Sequence, residues 1–209
     1  LLHALVGTLL LVAVALVFSV PIGILTALYL TEIKGRFSRP IKFLVQAMSG
    51  VPSIVAGLFI LSAIIYPITK ENSGLMGSLA LTILMIPTVA RTSEEVLNLI
   101  PQDLREAGTA LGGTQWRTVA MIVVPAAKSG LITAMILGVA RVAGETAPLL
   151  LVTGGGDRIN GNPLSEPMGS LPFYIWKSFG AGSEEAITRA WAGLLVLVLL
   201  VLILFTTAR

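Results

Sequence analysis

Arg141 and Glu145 stand four residues apart in a stretch, 129–151, that carries no other charged side chain. Four residues on one continuous helix put both groups on a single face. Arg91 directly follows another uncharged stretch, 72–90. A guanidinium is a planar fork of donors suited to oxyanions, so Arg91 and Arg141 could line a polar path and compensate an anion in transit. Plainer readings stand beside this one. Arg141 and Glu145 could neutralise each other as a structural ion pair, and Arg91 could snorkel to headgroups or pair with Glu94 or Glu95. Glu145 as a catalytic acid or base would need a second polar group within reach, and no such constellation stands out.

Other chemistries are excluded by what the chain lacks. It has no cysteine and one histidine, His3, so thiolate chemistry, Cys-ligated metals and His-built metal sites or triads fall away. No cofactor and no metal is expected. A Walker-type phosphate loop, Gly-x-x-x-x-Gly-Lys-Ser/Thr, is nowhere in the 209 residues. The triplet Gly154–Gly156 has neither the strand nor the helix that a phosphate-cradling loop needs.

The elements that must position these charges are apolar. Charged residues make up 12% of the chain against about 25% in an average soluble domain, and hydrophobic residues make up 55%. Residues 1–31, 43–69, 72–90 and 190–208 are free of Asp, Glu, Lys and Arg. Each is long enough for a helix to cross a hydrocarbon core of about 30 Å. The runs show no period-two alternation, which favours helices over a barrel. The expected fold is an all-α, polytopic membrane helical bundle forming one domain over 1–209. Its spans are expected at about 4–30, 43–69, 75–99, 119–151 and 189–208, the fourth interrupted by Lys128, Arg141 and Glu145. In such a setting an ionisable side chain must face a bundle interior or water; Lys128, near one end, snorkels. The formal charge of +3 comes from cations scattered among apolar runs and makes no basic stripe, so no nucleic-acid partner is expected.

Loop charges set the orientation. The link at 31–42 carries Lys34, Arg36, Arg39 and Lys42 against Glu32 alone, which puts it in the cytoplasm. The first span then enters from outside, 100–118 lies inside, the loop 153–188 outside and Arg209 inside. The first run lacks a basic leader segment and is too long for a signal peptide. A chain that starts outside and opens on Leu1 is expected to be a piece of a longer protein, with at least one earlier span.

Residues 101–113, PQDLREAGTALGG, form a short amphipathic segment with Leu104, Ala107, Gly108 and Leu111 on one helical face. Pro101 suits the start and Gly112–Gly113 the end. The segment could lie in the headgroups or dock a cytoplasmic partner. Glu106-Ala107-Gly108, Gly112 and Ile122-Val123-Val124-Pro125 resemble the EAA signature of bacterial ABC-importer permeases, with Gly108 and Val124 as departures. That resemblance implies a type I importer permease fold and a coupling helix at 101–113 that seats in an ATP-binding cassette subunit. It implies that Glu106 caps or anchors the helix, that Ala107 and Gly108 allow close docking, and that Gly112 allows the turn onward.

A second resemblance is narrower. Arg141–Pro148 (RVAGETAP), Ser49–Gly57 (SGVPSIVAG) and Arg91–Glu95 (RTSEE) are similar to segments of the phosphate-specific ABC transporter permeases, the PstA group. It implies ATP-driven import of inorganic phosphate across the bacterial plasma membrane. The implied partners are a second similar permease, two ATPase copies and an extracytoplasmic phosphate-binding protein. It carries the substrate path to Arg91, Arg141 and Glu145, with Ser49, Pro52, Ser53 and Thr146 as further lining, and a sixth, N-terminal span to the missing part. Ser49–Ser53 would break or kink the second span where it faces the path, or else be a packing kink without direct contact. In the outer loop, Leu171, Phe173, Tyr174 and Trp176 either meet the binding protein or sit in the interfacial belt. The rivals are a permease for sulfate, molybdate or phosphonate, a membrane enzyme using Glu145, and a passive channel.

Overall fold

The structure, a computed structural model, describes residues 1–164 and 166–207. Helix α1 (Leu2–Leu28) continues through a wider π-helical turn to Ile33. Then come α2 (Ser38–Ser49), α3 (Ser53–Ile60, prolonged by a π-helical stretch to Thr69) and α4 (Gly74–Asn98). Short α5 (Gln102–Ala110) leads to α6 (Gln115–Ala126) and α7 (Lys128–Ala143). The chain closes with α8 (Ala147–Val152), α9 (Leu171–Gly180) and α10 (Glu184–Thr207). Three of these helices are long and apolar enough to cross a membrane, and two bent pairs raise the number to five.

Two of the expected spans are built from bent pairs. The stretch 43–69 is not one helix, because Ser38–Ser49 and Ser53–Thr69 meet at 106° across Gly50, Val51 and Pro52. Pro52 has ψ 136° and forces its predecessor away from helical geometry, which breaks the rod there. The stretch 119–151 is broken twice. Gln115–Ala126 and Lys128–Ala143 meet at 71°, just after Pro125, which has no N–H to donate. The helix then stops again at Gly144, before α8 begins with Pro148 in its first turn. The last helix starts at Glu184 rather than 189, with the Ser183 hydroxyl accepting from the Ala186 N–H at 3.3 Å. Arg209 lies outside the described residues.

α4 is the centre of the bundle. Two thirds of its apolar window is buried (67%), against 11% for α10, whose Trp191, Leu195, Leu199 and Ile203 face outwards. Parallel α1 and antiparallel α7 flank α4, and small residues let them close in. A Cβ at Gly23 would sit 2.7 Å from Val89 Cγ1, and one at Gly138 2.7 Å from Met85 Cε. Close backbone approach of this kind is how helices associate where lipid supplies no hydrophobic drive. Some buried hydroxyls turn back on their own helices, as in Thr8 to the Ala4 carbonyl (3.0 Å) and Thr82 to that of Ser78 (2.7 Å), whereas the buried Ser19, Ser93 and Thr118 hydroxyls have no hydrogen-bond partner among the described residues.

The two ends of the bundle differ. At one end Ala27, Leu97, Val123, Ala127 and Leu131 cluster; towards the other, Ile60, Ile65, Met76, Ala80 and Val152 do. At the second end the loop after α8 folds back and caps α4: Pro163 and Glu166 carbonyls accept from the Leu75 and Gly74 N–H groups at 2.6 and 3.2 Å. Those are donors that a helix start cannot satisfy by itself.

Candidate functional site

The end of the bundle beside residues 28–34 and 97–119 is built around α5. Pro101, with ψ 143°, precedes the helix, and Gly112, with φ +82°, follows it. A left-handed backbone is cheap only for glycine, so the chain can turn sharply there towards α6. Thr114 then opens α6 by accepting from the Arg117 N–H at 3.4 Å. Leu104, Ala107 and Leu111 are exposed on one side of α5, and Leu111 is 88% exposed. Gly108 does not share that surface. It is buried, and a Cβ on it would meet Thr118 Cγ2 at 2.6 Å and Ile122 Cδ1 at 2.8 Å. The glycine seats α5 on its own chain rather than on a partner, since only a residue without a side chain fits over α6. Glu106 sits mid-helix, exposed, with no side-chain hydrogen bond among the described residues.

The anchor is a neighbour that sequence patterning passed over. Arg105 grips Glu32 through Nε at 3.1 and 3.2 Å and through Nη2 at 2.8 Å. Its remaining donors reach the Ile100 and Leu97 carbonyls at 2.6 and 2.9 Å. Gln115 Nε2 donates to the Glu32 carbonyl at 2.6 Å. An open cavity of about 640 Å³ lies beside this knot, lined by Lys34, Asn98, Gln102, Glu106 and Thr109 among others.

The charges in the spans are arranged otherwise. Gly138 packs on Met85 and Val89 while Gly130 packs on Val96, so α7 runs antiparallel to α4. Arg141, three residues beyond Gly138, therefore lies deeper than Arg91, which is nearer the α5 end. The two do not form one ring. Arg141 is exposed in the last turn of α7, whereas Glu145 is half-buried beyond the helix end, its N–H bonded to the Val142 carbonyl at 3.2 Å. The shared helical face expected for this pair is lost at Gly144. Among the described residues Arg91, Arg141 and Glu145 make no side-chain hydrogen bond or ion pair.

Arg91 does not pair with Glu94, which instead takes Lys42 at 2.7 Å. These residues, with Val45, Gln46, Glu95 and Asn98, line a cavity of about 250 Å³ between α2 and α4. Its charge is mixed, so an anion there would be drawn to Arg91 and repelled by Glu95. At the break between α2 and α3, Pro52 is exposed and Ser53 half-buried, while the Ser49 hydroxyl turns back to the Val45 carbonyl at 3.0 Å. Thr146 is half-buried next to Glu145. The structure thus places Ser49, Pro52 and Ser53 at one break and Arg141, Glu145 and Thr146 at another. α3 packs against α8 through Gly57, where a Cβ would lie 2.8 Å from Pro148 Cα, so the helices leading from the two breaks touch.

On the opposite end, α9 buries Leu171 and Ile175 and exposes Trp176. The Thr8 hydroxyl accepts from the Leu171 N–H at 2.8 Å, and Tyr174 meets the His3 ring edge-on at 5.7 Å.

Comparison with known proteins agrees with this geometry. Residues 19–209 match the family described as binding-protein-dependent transport system inner membrane component. The phosphate transport system permease protein PstA 1 of Mycobacterium tuberculosis (strain CDC 1551 / Oshkosh) is 42% identical over 95% of the chain, and the chain spans 66% of its length. PstA of Pasteurella multocida (strain Pm70) is 39% identical over the whole chain, which spans 75% of that protein. The Methanocaldococcus jannaschii protein called probable phosphate transport system permease PstA is 36% identical over 99% of the chain and 72% of its own length. Among solved structures, a chain of the MetNI methionine ABC transporter in inward-facing conformations superposes with a TM-score of 0.77 at 20% identity, over 99% of this chain and 89% of that one. That likeness places the fold with the MetI-like permeases. The chain belongs to the family of binding-protein-dependent transport system inner membrane components and groups there with the PstA permeases.

Proposed function

We propose that this chain is the transmembrane permease subunit of an ATP-driven importer of inorganic phosphate. The observation that carries the cargo is the 39% identity to a PstA permease along the whole chain. The mechanism follows from the two ends of the bundle. α5, with Leu104, Ala107 and Leu111 exposed, docks on an ATP-binding cassette subunit, which supplies the hydrolysis; the permease itself needs no cofactor. Closure of that partner shifts α5 and rocks the spans. The polar path past Arg91, Arg141 and Glu145, with Ser49, Pro52, Ser53 and Thr146 as lining, then opens first outward and then inward. Arg141, exposed and unpaired on an otherwise apolar helix, needs a polar surface opposite it, which a second similar permease across the path supplies. An extracytoplasmic phosphate-binding protein delivers the ion to the α9 side, and the assembly sits as a multi-pass protein in a bacterial plasma membrane. Binding along the path is weak, because an ion held tightly would not leave.

Guanidinium groups would accept sulfate, molybdate or a phosphonate as readily, so cargo is the point to test. Vesicles holding the full transporter and its binding protein should take up labelled phosphate on ATP addition, with excess sulfate or molybdate leaving the rate unchanged. Competition by either anion would move the assignment to that oxyanion.

A further inference from the structure

The Arg105–Glu32 knot lies outside the path and outside the exposed face of α5, yet it is the most elaborate polar cluster described in the chain. Arg105 makes five hydrogen bonds to three residues of two other segments, and both side chains are largely buried, at 18% and 7% exposure. Glu32 belongs to the turn that ends α1. Leu97 is in the last turn of α4, and Ile100 is two residues past its end, so Arg105 adds a donor to the Leu97 carbonyl, which also accepts from the Ile100 N–H at 3.3 Å, and takes up the Ile100 carbonyl beyond the helix end. Gln115 adds the start of α6 through the Glu32 carbonyl. Apart from this knot, α5 is seated by the close approach of Gly108 to Thr118 and Ile122, which is steric and carries no side-chain hydrogen bond.

We infer that Arg105 and Glu32 are positioning residues that fasten α5 to the ends of α1 and α4, so that displacement of α5 moves these two helices as one body. The inference rests on the proposed docking of α5 to an ATPase. The planar fork sets the residue type. Lysine could satisfy Glu32 or one carbonyl, but it could not span the carboxylate and both α4 carbonyls at once. Since α4 is the central helix of the bundle, a tie to its end is a tie to the core.

Two readouts test this in the full-length permease with its partners. In vesicles, Glu32→Gln and Arg105→Lys should lower the phosphate moved per ATP hydrolysed by at least about fivefold, while the complex still co-purifies and hydrolyses ATP. A merely structural role would reduce both rates together and leave the ratio unchanged, and that result overturns the inference. These 209 residues hold no cysteine, and in a permease kept free of cysteine elsewhere, Glu32→Cys with Arg105→Cys can be joined by a short bifunctional thiol reagent. The joined protein should regain the ratio to within about twofold, whereas a tether that blocks uptake would show that the two segments must part during the cycle. The second readout does not depend on cargo: amide exchange over 97–110 in the permease alone should speed up in Glu32→Gln. Faster exchange in a transporter that moves no phosphate would sink the phosphate reading and leave the tie standing; unchanged exchange would remove the tie.

Discussion

Two sets of charged side chains sit in this bundle under opposite conditions. At the α5 end, Arg105 and Glu32 satisfy each other and the carbonyls around them, and both are largely withdrawn from solvent. In the spans, Arg91 and Arg141 are exposed and Glu145 is half-buried, and among the described residues none of the three has a side-chain partner. A charge whose every donor is used holds structure together. A charge left open on an apolar helix is tolerated only if something outside the chain completes it, whether water, an ion or a second subunit. The first set is therefore read as mechanical and the second as facing the cargo.

The largest expected effect is on the open set. Arg141→Gln should cut ATP-driven phosphate uptake about 10- to 100-fold, the worth of a charge-assisted hydrogen bond, without changing assembly. Uptake that survives would make Arg141 a structural charge and erase the contrast. Next comes the closed set. Arg105→Ala leaves the Glu32 carboxylate without its ion-pair partner and removes a donor from the Ile100 and Leu97 carbonyls, and should cost about 2 kcal/mol, read as a lower thermal midpoint of the detergent-solubilised permease. Gly138→Leu should cost about 1–3 kcal/mol by forcing α7 off Met85 and Val89, and its uptake should fall only as far as folded permease is lost. The smallest effect belongs to Lys42→Ala. Its pair with Glu94 is half exposed on the lysine side and should contribute less than about 1 kcal/mol, weakening further as salt is raised. A larger loss there would mean that the cavity around Arg91 depends on Lys42.

Much of this was open to sequence reading. The uncharged runs fall on α1, α4 and α10, because spanning helices are long and largely apolar, although α4 runs on past its uncharged part to Asn98. α5 was visible from Pro101, its apolar spacing and the paired glycines. A kink at Ser49–Ser53 was legible too, but the sharpness of the breaks was harder to read. Pro52, Pro125 and Gly144 are all plain in the sequence, but proline occurs inside α1 and α4 too, at Pro21 and Pro87, without a sharp bend. Whether a proline bends a helix depends on what packs against it, which spacing does not encode. The i,i+4 relation of Arg141 and Glu145 failed because the helix ends at Gly144, between them. Pairings distant in the chain, 73 residues for Glu32 with Arg105 and 52 for Lys42 with Glu94, carry no local signal at all. Gly108 read as part of a small-residue docking face, and only the position of Thr118 and Ile122 turned it inward.

The contrast between the two sets is tested most directly by measuring phosphate uptake and ATP hydrolysis together in vesicles, with Arg141→Gln beside Arg105→Lys. If the open charge meets the cargo and the closed one transmits motion, Arg141→Gln loses uptake and phosphate-stimulated hydrolysis in step, while Arg105→Lys keeps hydrolysing ATP and moves less phosphate per turnover. The same ratio of phosphate to ATP in both variants would contradict the division of labour.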